Sequence, residues 1–201
     1  MLTEQQASQL LSEAAARNPG PWEAHSRVTA DNARRIARRV PGLDPQRAWL
    51  SGLLHDLGRG HGVSGVRHTL DGYRDLMALG EPQLARICLT HSFPDRHTLF
   101  YMGAWDITEQ ETAFLKSYLQ RGDDDDYDAL IQFCDLISLP TGACIMEKRL
   151  VDIGLRYGTP EGTVEKWRCW LELKKTFDRR CGCDVYTLLP GVLEQSCRSL
   201  I

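Results

Sequence analysis

Residues 49–59 read Trp-Leu-Ser-Gly-Leu-Leu-His-Asp-Leu-Gly-Arg, an apolar segment that runs into a His-Asp pair and then reaches a glycine. Asp44 suits the N-cap, Pro45 the first helical position and Gly58 the position just past the end, so the pattern predicts a helix over about residues 45–57. At a buried helix end the imidazole and the carboxylate need partners, and a metal ion can satisfy both. The pair alone also fits a core histidine bonded to a helix carbonyl, beside an exposed aspartate.

The composition is that of an ordinary globular protein, with 42% hydrophobic and 25% charged residues in a chain of 201. The formal net charge is -3, which does not favour a nucleic-acid partner. No apolar run is long enough for a membrane span, and residues 1–17 do not resemble a signal peptide. We therefore expect a cytoplasmic protein with neither nucleic acid nor membrane as its partner.

The seven cysteines are an odd number, and most lie in apolar stretches, which favours reduced thiols over a disulfide framework. Cys181, Cys183 and Cys197 could bind zinc, but their spacing matches no strong zinc pattern.

Helical periodicity and capping signals recur along the chain, and no segment alternates with period two over a convincing length. The pattern therefore predicts an all-α single domain over residues 1–201. The expected helices span about residues 3–17, 21–39, 45–57, 66–79, 82–91, 108–120, 127–139, 143–157 and 159–177, followed by a short helix after residue 183.

Three features in or near the segments between the predicted helices bear on a possible functional site. Four glycines within residues 58–65 predict a flexible loop beside the His-Asp pair, and Gly72, one turn beyond His68, would allow a neighbouring element to approach closely. Residues 92–107 are irregular and rich in aromatic side chains, as in a pocket wall. The acidic run at 123–126 is interpreted as a helix start rather than a divalent-ion site.

Polar groups recur at inward positions of the predicted helices, where an unpaired polar group would cost several kcal/mol. Five helices each deliver at least one such group. Nitrogen and oxygen ligands in this mixture suit Fe, Mn, Co, Ni or Zn rather than calcium. The residues concerned are His25, His55, Asp56, His68, His91 and Asp135.

The order of these residues, with Gly-Leu-Leu-His-Asp-Leu-Gly and Phe-Cys-Asp-Leu-Ile around them, resembles the HD superfamily of metal-dependent phosphohydrolases. The resemblance covers about residues 22–140 and implies a compact all-α bundle of the HD type, with about 141–201 as a C-terminal helical extension. It also implies that His25, His55, Asp56 and Asp135 hold one divalent transition-metal ion.

Members with two metal ions carry two further histidines between the His-Asp pair and the last Asp. His68 and His91 occupy those places here, and Asp56 would bridge the two ions, which we expect to be Fe or Mn, with Co, Ni or Zn as alternatives. This ligand order is similar to that of symmetrical diadenosine tetraphosphate hydrolases. The family motif often has lysine where this chain has Arg59, which keeps the charge and can grip phosphate bidentately.

The expected reaction is hydrolysis of a phosphoester or phosphoanhydride in a nucleotide or another small phosphorylated metabolite. A metal-activated hydroxide would attack phosphorus, while Asp56 and Arg59 act as the catalytic side chains. Arg59, His61, His97 and Lys148 are the candidate substrate-binding residues, and His61 and His97 are also the candidate general acids. Arg149 could reach phosphate as well. The sequence leaves open whether the chain forms a homodimer.

Three other functions compete with this one. Some HD proteins with six such ligands hold a mixed-valent di-iron centre and cleave C–P or C–C bonds oxidatively. A nucleotide-binding regulatory module without turnover is a second alternative, although it would have no reason to keep all six ligands. A plain helical interaction protein is the third. Several aromatic residues could stack on a base or simply pack in the core: Trp22, Phe93, Phe100, Tyr101 and Trp105.

Overall fold

The computed structural model describes residues 2–95, 99–122 and 125–198, so His97, Asp123 and Asp124 lie outside the described residues. The described part confirms the all-α fold, with ten α-helices, two short 3₁₀ helices and one two-stranded hairpin. The α-helices are α1 (Glu4–Arg17), α2 (Trp22–Ala37), α3 (Pro45–Leu54), α4 (Arg67–Ala78), α5 (Pro82–Thr90), α6 (Glu109–Leu119), α7 (Asp126–Leu136), α8 (Met146–Tyr157), α9 (Thr163–Cys181) and α10 (Val192–Cys197). The 3₁₀ helices are Leu57–His61 and Val185–Leu188, and the antiparallel strands are β1 (Ser138–Leu139) and β2 (Gly142–Ala143).

The centre of the fold is the close pair formed by α2 and α3. A Cβ atom on Gly52 would lie 2.7 Å from Ala30 Cα, so the two helix backbones meet at this glycine. Leu50 and Leu53 are fully buried on the same helix. The predicted N-terminal cap is also confirmed, because the Asp44 side chain accepts from two backbone N–H groups at the start of α3 and Pro45 follows it.

The end of this helix and the glycine-rich segment differ from the prediction. The α-helix stops at Leu54, and His55 and Asp56 form a turn that leads into the 3₁₀ helix at Leu57–His61. The expectation of a loop was therefore wrong for residues 58–61, whereas residues 62–65 are irregular as predicted. Because glycine has no side chain, it permits close packing of neighbouring elements as well as conformational freedom of the backbone. Here the glycines allow close packing.

Gly58 makes one of the two tightest of these contacts. A Cβ atom there would lie 2.0 Å from the His68 carbonyl oxygen and 2.4 Å from Gly72 N. The expected close approach at Gly72 is thus confirmed, and the approaching element is the turn that follows the His-Asp pair. The contact sets Asp56 beside α4, which carries His68.

Several other helices begin or end at different residues from those predicted, because turns lie at these positions. Helix α7 ends at Leu136 rather than 139, and a hairpin over residues 138–143 precedes α8, which begins at Met146. Helix α9 begins at Thr163 rather than near 159, after Gly162 in the left-handed region at φ +88°. Asp125 caps α7 with Asp126 in its first turn, so the helix-start interpretation of the acidic run is confirmed for these two residues.

The C-terminal helices pack on the same hydrophobic core as α2 and α7. Phe133 on α7 stacks with Phe177 on α9, with ring centroids 5.7 Å apart. Met146 on α8 and Ile36 on α2 belong to the same buried cluster. This packing holds α8 and α9 against the end of α7, where Asp135 lies.

The seven cysteines are free thiols, and four of them are buried. Cys181, Cys183 and Cys197 do not form a close ligand group in the part of the chain that the structure describes. Within the same residues, none of the helices combines the length and the apolar character that a membrane crossing needs.

We predict that Gly58→Ala lowers the free energy of unfolding by about 3 kcal/mol, because the new methyl group would collide with backbone atoms of α4. Gly154→Ala is the matched control, since its Cβ would meet only side-chain atoms at 3.7 and 3.8 Å on a regular helix. The control should be neutral or more stable by up to about 1 kcal/mol. Urea denaturation measures both, and equal effects would contradict the packing argument.

Candidate metal centre

The structure brings together all six residues singled out as candidate metal ligands. His25 lies on α2, His68 on α4 and Asp135 on α7, and His55 and His91 each follow the last residue of a helix. Four helices and the turn after α3 therefore meet at one place. Five of the six residues are buried, and Asp135 keeps 29% of its side chain exposed.

Backbone carbonyls orient the first two imidazoles. His25 Nδ1–H donates to the Ser138 carbonyl oxygen at 3.1 Å, and His55 Nδ1–H donates to the Gly52 carbonyl oxygen at 2.7 Å. A carbonyl can only accept, so the proton lies on Nδ1 in both rings. In the neutral form of each ring, Nε2 therefore offers a lone pair to the interior of the cluster.

The other two imidazoles are held in the same way. His68 Nδ1–H donates to the Gly65 carbonyl oxygen at 2.5 Å, and His91 Nδ1–H donates to the Cys88 carbonyl oxygen at 3.0 Å. The two Nε2 atoms lie 3.3 Å apart and face each other with lone pairs. Two such acceptors are stable side by side only with a proton or another cation between them.

The two carboxylates lie between these nitrogens. His25 Nε2 and His55 Nε2 are 2.8 and 3.7 Å from Asp135 Oδ1. His68 Nε2 and His91 Nε2 are 3.1 and 3.7 Å from Asp56 Oδ1, whereas Asp56 Oδ2 faces His55 Nε2 at 3.8 Å. Asp56 thus presents its two oxygens to two neighbouring sets of nitrogens.

The electrostatics of the cluster favour a bound cation. Burial would raise the pKa of Asp56, but Arg59 and then the neighbouring histidines hold it well below its ordinary value. Burial opposes ionisation of Asp135 too, yet His25 and His55 keep its pKa well below the usual range. Burial and the charge of His55 lower the pKa of His91 to about 3, so this imidazole is neutral. Ionised carboxylates and a neutral imidazole are the protonation states that bind metal. Burial opposes protonation of His55, but Asp56 and Asp135 raise its pKa, so a proton on this ring would be released when an ion binds.

Two further observations test the fit of a metal. His55 Nε2 and Asp56 Oδ1 are buried without a hydrogen-bond partner among the described residues. Ligand atoms about 2.1 Å from one ion are separated by about 3.0–3.4 Å at tetrahedral or octahedral angles. The distances across the cluster, from 2.8 to 3.8 Å, bracket that range. The residues therefore fit a divalent transition metal.

A cavity of about 300 Å³ opens beside this cluster. Trp22 and Tyr101 are the two aromatic stacking candidates that line it, whereas Trp105 bonds to Thr112 elsewhere. Burial raises the pKa of Tyr101 to about 12, so its hydroxyl remains protonated. Four cationic side chains also line the cavity: Arg59, Arg149, Arg156 and Lys166.

The candidate substrate-binding residues are placed very differently. Arg59 lines the cavity, and its Nε donates to Asp56 Oδ2 at 2.6 Å. His61 instead pairs with Asp75 on the outside and is not among the lining residues. Lys148 bonds to backbone carbonyls at the end of α10, so its ammonium group is engaged away from the cavity. His97 lies outside the described residues.

Lys166 is the main site residue that sequence reasoning missed. It is only 5% exposed, and its Nζ donates to the carbonyl oxygens of Ser92 and Phe100 at 2.9 and 3.1 Å. Burial lowers its pKa to about 7. Lys166 shares the buried stripe of α9 with Thr163 and Trp170, and a lysine within an apolar stripe was the signal available in the sequence.

Arg156 and Trp170 were missed as well. Arg156 lies one turn beyond Asp152 on the face of α8 that borders the cavity, and Trp170 lies one turn beyond Lys166 on α9. Their sequence positions follow Asp135 by more than a helix length, so no local pattern links them to the cluster.

A family model of the HD domain matches residues 22–139, which is more than half of the chain. Searches of curated proteins and of solved structures give no match. The matched region contains the whole His/Asp cluster and ends before α8. The chain belongs to the HD domain family, whose members are mostly metal-dependent hydrolases of small phosphorylated substrates.

Proposed function

We propose that this protein is a metal-dependent phosphohydrolase that acts on a nucleotide or another small phosphorylated metabolite. The observation that carries the proposal is the orientation of the four imidazoles. Each donates Nδ1–H to a backbone carbonyl and turns Nε2 toward two ionised carboxylates. Such carbonyl contacts are the usual second layer of a metal site.

The arrangement supports two ions rather than one. His25, His55 and Asp135 form one compact group of ligand atoms, and His55, Asp56 and His91 form another that shares His55. Because the single free Nε2 of His55 can bind only one ion, Asp56 and His91 would hold the second ion together with His68. His68 Nε2, 3.1 Å from Asp56 Oδ1, extends the second group. Asp56 would then bridge the ions, which we propose to be Fe or Mn, with Co, Ni or Zn as alternatives.

Residues of the chain itself determine the charge and the apolar surface of the rest of the reaction site. Bound ions would supply Lewis acidity and an activated water. Arg59 holds Asp56 in place through Nε and lines the cavity, where its other N–H groups can donate hydrogen bonds to a phosphoryl group. Tyr101 and Trp22 form the apolar part of the wall, which suits the organic part of a substrate.

We predict about two ions of Fe or Mn per chain in protein purified without chelator, because two groups of ligands are present. His68→Ala should lower the content to about one or fewer, since it removes a buried Nε2 that faces Asp56 and His91. His61→Ala is the control and should leave the content unchanged, because His61 bonds to Asp75 on the surface. Elemental analysis per chain measures all three. Absence of metal under every loading condition would contradict the proposal.

We predict that metal-loaded protein releases phosphate from a panel of nucleotides and sugar phosphates without consuming oxygen. Asp135→Asn should lower kcat/KM by at least about 100-fold, because it removes the charge that His25 and His55 face. Asp31→Asn, an exposed change on α2, should have no effect. Phosphate release and an oxygen electrode are read together. Substrate-dependent oxygen uptake would favour the oxidative alternative, and activity that survives chelation would contradict both.

A further inference from the structure

Three of the four cations that line the cavity come from the C-terminal helices. Arg149 and Arg156 lie on α8 and Lys166 lies on α9. All three follow residue 139, where the match to the family model ends. The family likeness therefore does not explain why this face of the cavity is basic.

The two arginines are held together on one face of α8. Arg149 Nη1 and Arg156 Nη2 both donate to Asp152 Oδ2, each at 2.7 Å. Their spacing of seven residues is two helical turns, so both guanidinium groups lie along the same side. Asp152 is not one of the described residues that line the cavity. Its carboxylate therefore fixes both side chains from outside the cavity and balances one of their two positive charges.

Unused hydrogen-bond donors lie in the same wall. Arg149 Nε and Trp170 Nε1 are buried and have no partner among the described residues. Trp170 is also in cation–π contact with Lys166, whose Nζ lies 5.0 Å from the indole ring. Several N–H donors around one volume suit the three oxygens of a phosphoryl group better than the two oxygens of a carboxylate.

The charge of the cavity favours more than one anionic group in the ligand. Arg59, Arg149, Arg156 and Lys166 face only two lining carboxylates, Asp56 and Asp135. Bound metal ions would offset those two carboxylates. Arg59 is paired with Asp56, whereas Arg149 and Arg156 share the single negative charge of Asp152. The side of the cavity formed by α8 therefore keeps about one unbalanced positive charge, which a second anionic group of the ligand would balance.

We propose that Arg149, Arg156 and Trp170 form a second phosphate subsite, so that the substrate is a small molecule with two phosphoryl groups. One group would lie at the His/Asp cluster beside Arg59, and the other would lie against α8 and α9. The assignment of the reacting end rests on the proposed function, whereas the second subsite rests on α8 and α9 alone. Specificity for the second phosphate would then reside in the part of the chain that the family model does not match.

The first experiment tests the subsite without metal or turnover. Methylphosphonate is titrated calorimetrically into metal-free protein, in which only the cationic wall can attract it. Arg149→Met and Arg156→Met should each weaken binding by about tenfold or more, the loss expected for a charged hydrogen bond. Lys175→Met, an exposed cation on α9 outside the cavity, should bind like the wild type. No binding to the wild type, or equal binding to all variants, would overturn the subsite.

The second experiment asks whether the subsite serves the same ligand as the metal centre. Metal-loaded protein is titrated with α,ω-alkanebisphosphonates of increasing length and with alkylphosphonates of the same lengths, none of which a phosphohydrolase can cleave. At the matching length the bisphosphonate should bind about tenfold tighter or more, and Arg149→Met should abolish the difference. No preference at any length would overturn the two-phosphate substrate, as would an equal preference for the corresponding phosphonocarboxylates.

Controls separate folding and metal binding from ligand binding. Arg156 has about half of its side chain exposed, at 48%, so its replacement should leave the unfolding temperature unchanged. Metal content is measured on every variant. Failure to load metal would contradict the proposed function, and the methylphosphonate titration would still decide the subsite.

Discussion

Four hydrogen bonds from imidazole Nδ1–H groups to backbone carbonyls determine how the centre of this protein is arranged. The accepting carbonyls belong to helix ends, to the turn before α4 and to strand β1, where they lack intrahelical partners. One contact therefore satisfies a backbone group and fixes a ring at the same time. Because the rings are oriented by the fold, their Nε2 atoms already converge before any ion arrives, which limits the reorganisation that binding requires.

Glycines determine which elements can reach that centre. The contact of Gly58 with the backbone of α4 brings Asp56 next to His68, and the contact of Gly52 with α2 brings His55 next to His25. A methyl group at either glycine would separate helices whose side chains must lie within 4 Å of one another. The short 3₁₀ helix after the His-Asp pair is thus part of the structural support of the cluster, which accounts for its order despite a glycine-rich sequence.

Two regions of the chain share one hydrophobic core and contribute different parts of the candidate site. Residues matched by the family model supply the His/Asp cluster, and α8 and α9 supply most of the cationic wall. Stacking of Phe133 on Phe177 joins the regions, so the wall is held rigidly against the cluster. A change on α8 could alter ligand preference while leaving the cluster intact, since its cavity-facing side chains contact the ligand volume rather than the histidines.

The sequence by itself determined the helices, most of their caps and the six polar residues that converge, because helical periodicity and capping are local patterns. It also marked the close approach at Gly72. Only the tertiary structure decided that residues 58–61 are ordered, that His61 and Lys148 lie away from the cavity, and that Lys166 and Arg156 line it. The positions of these residues depend on packing between segments that are far apart in the sequence. A helix face has the same sequence pattern of polar residues whether it borders a cavity or solvent. Only the packing of α8 and α9 therefore shows which of their residues line the cavity.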